Sequence, residues 1–201
     1  MDAHDWDERY RSRERLFSGN PNGVLVAEAT DLPPGRALDL GCGEGADAIW
    51  LARRGWHVTG IDLSTVALER AAATAGADLE DRLTWIQGDI TATAPEQGAF
   101  DLVSAQYLPL PKECGDTALR GLLDAVAPGG TLLFVGHALN GLEHLRDEGI
   151  DPTSFYQPAE IALRLDRDWI VEVDQTRPRS APAPAGTHHT HDTVLRARRP
   201  R

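Results

Sequence analysis

Cysteine, methionine and aromatic residues are scarce in this chain: two Cys, one Met, and 6% Phe, Trp and Tyr together in 201 residues. Two cysteines, Cys42 and Cys114, are too few for the disulfide framework of a small secreted domain, so a reducing cytoplasm is the expected location. No apolar run approaches the ~20 residues a bilayer span needs. The opening residues, Met1 to Tyr10, are polar and acidic where a leader would be apolar, so neither export nor a membrane partner is expected. Basic residues are also outnumbered. Twenty Lys and Arg against 31 Asp and Glu leave a formal net charge of −11. Phosphate contacts need a surplus of Lys and Arg, so a nucleic-acid partner is not expected either. The basic end (Arg196, Arg198, Arg199, Arg201) reads as a solvated tail after the last strand.

The composition that remains, 41% hydrophobic and 25% charged, is globular. A chain of this length buries about two-thirds of its unfolded surface. We expect one domain over 1–201, divided into a helical lid (1–30), a core (36–138), and loops with a closing hairpin (139–201).

Periodicity predicts the elements. An amphipathic helix carries Trp6 and Tyr10, continues through Leu16 and Phe17, and breaks at Ser18-Gly19-Asn20-Pro21-Asn22. A second helix over Val24–Thr30 stops at Pro33-Pro34-Gly35. Short apolar strands follow at 37–40, 57–61, 83–86, 100–104 and 131–135, with helices at 46–54, 64–75 and 118–126. Such alternation means a parallel sheet covered on both faces. The last two strands, 169–173 and 193–197, have no helix between them, only the Pro/Ala-rich tract 178–186, and are expected as an antiparallel edge hairpin.

Between the first strand and its helix lies Gly41-Cys42-Gly43-Glu44-Gly45. A turn of this kind lets a ligand approach the backbone and aims free N–H groups at negative charge. Cys42 is the small side chain tucked behind it. Gly41-x-Gly43-x-x-Ala46 also satisfies the dinucleotide fingerprint, which keeps a nicotinamide-dependent oxidoreductase open. Asp62, about twenty residues on, suits ribose hydroxyls in either case. Asp39 discriminates better: ahead of the first glycine it would repel a pyrophosphate but favour a ligand bearing an ammonium and a sulfonium. Asp89 ends the third strand, where an adenine amino group could be read.

The runs Ala37-Leu38-Asp39-Leu40-Gly41-Cys42-Gly43-Glu44-Gly45, Val58-Thr59-Gly60-Ile61-Asp62-Leu63-Ser64, Gly88-Asp89, Phe100-Asp101-Leu102-Val103 and Pro128-Gly129-Gly130 resemble the class I S-adenosylmethionine-dependent methyltransferases over about residues 36 to 138. Trp6-x-x-x-Tyr10 and Gly19-Asn20-Pro21-Asn22 are similar to the small tellurite-resistance and thiopurine-type members. The resemblance implies a Rossmann-like, doubly wound α/β fold with a seven-stranded sheet, mostly parallel, and S-adenosylmethionine as cofactor. It implies that Asp39, Gly41, Gly43 and Gly45 lie by the methionine part, that Asp62 holds the ribose, and that Leu63 packs on adenine. Asp89 and the Ile90 N–H would read the adenine edge, and Ser104 to Gln106 would face the amino group. One departure stands out: Leu108-Pro109-Leu110-Pro111 occupies a place where a polar residue or His is common.

Methyl transfer from a sulfonium is an in-line displacement, and alignment alone can contribute roughly 7–11 kcal/mol. A general base is needed only for a protonated nucleophile. The acceptor is expected to be a small molecule, met by loops at the carboxyl ends of the strands. Trp6, Tyr10, Tyr107 and His188 are substrate-side candidates. His137, His189 and His191 are candidates for proton transfer or for anchoring an anion, since His titrates near neutrality. Closely spaced imidazoles also suit a metal, but no metal is assigned. A binding module that holds the cofactor without turnover is the alternative.

Overall fold

The computed structural model describes residues 1–113, 116–139, 151–179 and 190–201. Helices α1 (Ala3–Arg11) and α2 (Gly23–Ala29) precede β1 (Arg36–Leu40), α3 (Ala46–Arg53), β2 (His57–Asp62), α4 (Thr65–Ala75) and β3 (Leu83–Gln87). Then come β4 (Phe100–Gln106), α5 (Asp116–Asp124), β5 (Val126–His137), α6 (Pro158–Ala162), β6 (Ile170–Pro178) and β7 (His191–Arg198). The strands form one seven-stranded sheet in the order β3-β2-β1-β4-β5-β7-β6. The first five are parallel, and β7 runs antiparallel to both β5 and β6. The expected edge hairpin is present, with its second strand inserted against β5. A dinucleotide-binding sheet of order 3-2-1-4-5-6 has no such reversed strand.

Each face of the sheet carries an apolar layer. On one, Leu25 of α2 and Ala48 and Leu51 of α3 pack over Ala37, Val58, Leu102 and Val135. On the other, Leu119 and Leu122 of α5 and Ile161 of α6 cover Leu38, Leu40, Val103 and Phe134. Burying such a side chain stabilises by about 1.5–3 kcal/mol. Local signals start and stop the helices. The Ser64 side chain accepts from the Ala67 N–H at the start of α4, and Gly76 follows its end.

Three expectations are corrected. The first helix ends at Arg11, so Leu16 and Phe17 lie outside it; their backbone N–H groups donate to the Glu44 carboxylate instead. The fifth helix covers Asp116–Asp124 rather than Ala118–Val126. Val126 is fully buried and pairs with Phe100 as the first residue of β5, so sheet pairing overrides helical spacing there. Pro128-Gly129-Gly130 is consequently a bulge inside a strand: the register steps from Phe100↔Val126 to Leu102↔Thr131. Helix α6 was not expected; a capping box between Gln157 and Glu160, with Pro158 in the first turn, starts it. Among the described residues, no helix is long and apolar enough to cross a membrane.

Candidate cofactor and acceptor site

The glycine turn is tight because its surroundings leave no room. A Cβ on Gly45 would stand 2.7 Å from the Ala71 Cβ and 2.8 Å from the Trp85 ring, and one on Gly43 would stand 2.9 Å from the Tyr10 hydroxyl. Both residues also hold positive φ. The turn is tied to the end of β2 by Asp62, whose Oδ2 accepts from the Gly43 N–H (2.8 Å) and Oδ1 from the Ser64 N–H (2.9 Å).

Behind the turn lie acids without cations. Asp39 pairs in register with Ser104, so their side chains share one face of the sheet, and Gln106 follows two residues on. Asp39 is 2% exposed and its Oδ2 has no hydrogen-bond partner; Gln106 is 8% exposed and its Oε1 has none either. The Gln106 amide donates instead to Ser104 Oγ (3.1 Å). Asp47, buried in the first turn of α3, accepts from the Asn22 backbone N–H (2.7 Å) and side-chain amide (2.8 Å). Burial raises the Asp39 carboxyl well above the usual range, and the charges of Asp47 and Asp62 raise it further. Burial likewise raises Asp47 and Asp62, against the hydrogen bonds each accepts. Two unpartnered buried oxygens on one face would be satisfied by a ligand that donates hydrogen bonds.

The N-terminal segment is strapped over this place. Asp7 accepts from Ser64 Oγ (2.6 Å), Thr65 Oγ1 (3.1 Å) and the Val66 N–H (3.3 Å), which joins α1 to the start of α4. Trp6, Tyr10 and Phe17 form an aromatic chain with centroids 6.1 and 6.2 Å apart. Glu44 anchors the strap from below and is itself held by Arg70 at 3.0 Å. A cleft of about 580 Å³ lies among the strap, α3 and α4, lined by Arg15, Trp50, Arg53 and Arg70. Its lining also takes in Glu44 of the glycine turn and Ala46 at the start of α3. The buried unpartnered side-chain atoms of the described residues belong to Asp39, Gln106 and Arg179, outside that lining.

At the far end of the same rim, Tyr107 leaves β4 with φ +57°, a strained value for an aromatic residue. Its N–H donates to Val135 O (2.8 Å), its ring stacks on His137 at 4.3 Å, and its hydroxyl donates to Asp192 (2.9 Å). Arg179 lies 5.2 Å from the Tyr107 ring centroid and 3.5 Å from Asp192.

Comparison with known proteins now decides the family. A family model described as a methyltransferase domain matches residues 37–130. Trans-aconitate 2-methyltransferase of Rhizobium meliloti (strain 1021) is 34% identical over 82% of this chain and 59% of its own length. Ribosomal RNA small subunit methyltransferase C of Alcanivorax borkumensis (strain ATCC 700651 / DSM 11573 / NCIMB 13689 / SK2) is 32% identical over 63% of this chain and 40% of its own. The chain thus spans about half the length of these curated relatives or somewhat more or less. A structure solved for the conversion of a disulfide bond into a thioacetal group during echinomycin biosynthesis superposes with a TM-score of 0.78. It covers 98% of this chain and 92% of that one at 24% identity, a likeness of fold.

Residues 37–130 thus carry a methyltransferase domain of the class I S-adenosylmethionine-dependent kind.

Its cofactor is S-adenosylmethionine, and the residues fit: the donor's ammonium matches the Asp39 and Gln106 oxygens that lack a donor. The expected residues fall into two groups. Asp39, Gly41, Cys42, Gly43, Gly45, Asp62, Leu63, Ser104 and Gln106 gather at the carboxyl ends of β1, β2 and β4, under Trp6 and Tyr10. Cys42 is buried with its thiol pushed up by burial, which keeps it protonated and inert. Asp89 is exposed and caps its own turn, accepting from the Thr91 N–H (2.8 Å) and hydroxyl (2.6 Å), with Ile90 partly buried beside it. Leu108 fills the space beside Gly41. His137 and Tyr107 meet at the acceptor end. His191 starts β7 and is exposed, with Thr190 as its ring's partner (2.9 Å) and its carbonyl accepting from the Ala138 N–H (3.1 Å). His188, His189 and Cys114 lie outside the described residues.

The sequence reading missed Asp7, Asn22, Glu44, Asp47, Arg179 and Asp192. An acid in the first turn of a helix that follows a glycine loop was a readable signal for Asp47. Arg179 and Asp192 gave none, because their meeting depends on the register of the closing hairpin.

Proposed function

We propose that the chain catalyses transfer of a methyl group from S-adenosylmethionine to a small-molecule nucleophile. The observation that carries this is the pair of buried, unpartnered oxygens, Asp39 Oδ2 and Gln106 Oε1, on one face of the sheet at the carboxyl ends of β1 and β4. When bound, the cofactor supplies an electrophilic methyl on a sulfonium. The chain's residues hold it there: Asp39 and Gln106 take the ammonium, Asp62 the ribose, Leu63 and Ile90 the adenine faces, and Asp89 the adenine amino group. Trp6 and Tyr10 close over it and exclude water, so alignment rather than proton transfer does most of the work. The chain acts as one domain over 1–201, with 1–30 as lid, 36–138 as cofactor core and 139–201 facing the acceptor.

A small acceptor is favoured by the acidic balance and by the relative that is a trans-aconitate methyltransferase. The ribosomal RNA methyltransferase among the relatives makes RNA the acceptor to compare against. The test is incubation with methyl-labelled S-adenosylmethionine and, separately, thiols, selenite, tellurite, carboxylic acids and ribosomal RNA. Labelled small-molecule product with equimolar S-adenosylhomocysteine is expected. Label in RNA alone would contradict the acceptor class, and bound cofactor without product anywhere would leave a non-catalytic binding module.

A further inference from the structure

We propose that Arg179 is the receptor for an acceptor carboxylate, on a platform made by Tyr107, His137 and Asp192. This rests on the methyltransferase reading and names its substrate class. Arginine carries five donors in a rigid planar fork and no acceptor. Here the fork is immobilised at one side only: Nη1 lies 3.5 Å from Asp192 Oδ1 and 3.4 Å from His137 Nδ1, with the guanidinium over the Tyr107 ring. The Nε–H, on the edge shared with Nη2, has no acceptor although the side chain is 12% exposed and Asp192 only 3%. A carboxylate meets that edge with two parallel hydrogen bonds.

The neighbours fit the same ligand. Arg179 can only donate, so His137 Nδ1 accepts at this contact and its proton sits on Nε2. Tyr107 donates to Asp192, which leaves the Asp192 charge shared between a phenol and a guanidinium. The Arg179 Nε–H is thus a buried donor left without an acceptor in this cluster. Its address is right as well. Tyr107 follows Gln106 directly, at the carboxyl end of β4, while His137 ends β5. The left-handed backbone at Tyr107, held by its N–H to Val135, keeps the platform in place beside the cofactor end of the sheet.

The experiment is calorimetric titration of the S-adenosylhomocysteine-saturated protein with benzoate, succinate and trans-aconitate, each against its neutral amide. We expect at least one acid to bind tenfold or more tightly than its amide, and Arg179→Gln to erase that preference. Since Arg179→Gln deprives Asp192 of a partner, Arg179→Lys is the second variant; it keeps the charge without the fork and should restore only part of the preference. Equal binding of acids and amides, or a preference that survives in Arg179→Gln, would overturn the subsite. Normal cofactor uptake in that case leaves the methyltransferase reading standing. A protein that takes up neither S-adenosylhomocysteine nor S-adenosylmethionine would overturn both.

Discussion

Around β1 and β2, the buried acids Asp39 and Asp47 and the partly buried Asp62 have backbone or amide partners at most, and no arginine or lysine pairs with them among the described residues. Around β5 to β7 the opposite holds. Glu28, on α2, meets Arg177 at 2.7 Å and Arg196 at 3.4 Å; Glu172 meets Arg196 and Arg198; Asp192 meets Arg179. The difference teaches what each set is for. Acids given a cation by the chain fasten helix to sheet and strand to strand. Acids left without one raise the energy of the ligand-free protein and are relieved when a cationic ligand arrives.

The comparison can be sharpened by removing one acid at a time. Asp62→Ala should weaken S-adenosylmethionine binding by about 1.5–3 kcal/mol, the range for hydrogen bonds to a charged group. Titration calorimetry reads this, and unchanged affinity would remove Asp62 from the ribose site. On the other side of the molecule, Glu28→Gln should destabilise the fold by about 2 kcal/mol. That is less than for a fully buried pair because both arginines keep about a quarter of their side chains in water. Denaturant midpoints check it, with cofactor affinity expected to change little.

Asp39→Asn should have the smallest effect and the opposite sign, stabilising the ligand-free protein by about 1 kcal/mol while weakening the cofactor. The pH dependence follows from the raised carboxyl. Its unfolded value is about 3.9. The folded state therefore holds the proton more tightly, and the group's stabilising contribution, complete below that value, is lost as pH rises through the folded value. The advantage of the Asn variant thus grows as pH rises from about 4 toward the folded value and shrinks as pH falls back. A pH series of thermal midpoints for both proteins measures the gap. A constant gap would mean that Asp39 is not the group that titrates.

The two regions also differ in how far the sequence could be read. Around the glycine turn, function is local. Gly41, Gly43 and Gly45, with Asp39 just before them and Asp62 at the next strand end, lie within 24 residues, and strand–turn–helix order alone brings them together. Charge alone places Asp39 beside a cation in the sequence, and in the fold its Oδ2 is buried without a hydrogen-bond partner. The strap was half legible: Trp6 and Tyr10 at helical spacing were seen, but the turn after Arg11 and the Glu44 anchor were not. The acceptor end was the least legible. Tyr107, His137, Arg179 and Asp192 are separated by up to 85 residues and meet only because β7 enters between β5 and β6. Nothing in local spacing encodes that register. Histidine chemistry pointed to His191, whose side chain the strand alternation turns away from Asp192.

The most direct test of the account is calorimetric titration of the ligand-free protein with S-adenosylmethionine and, separately, with NAD. Micromolar binding of S-adenosylmethionine with no response to NAD is the result that acids without cations beside the glycine turn predict. Binding of NAD with no response to S-adenosylmethionine would contradict it, because a pyrophosphate would then be seated against Asp39 and Asp47, where its charge has no partner.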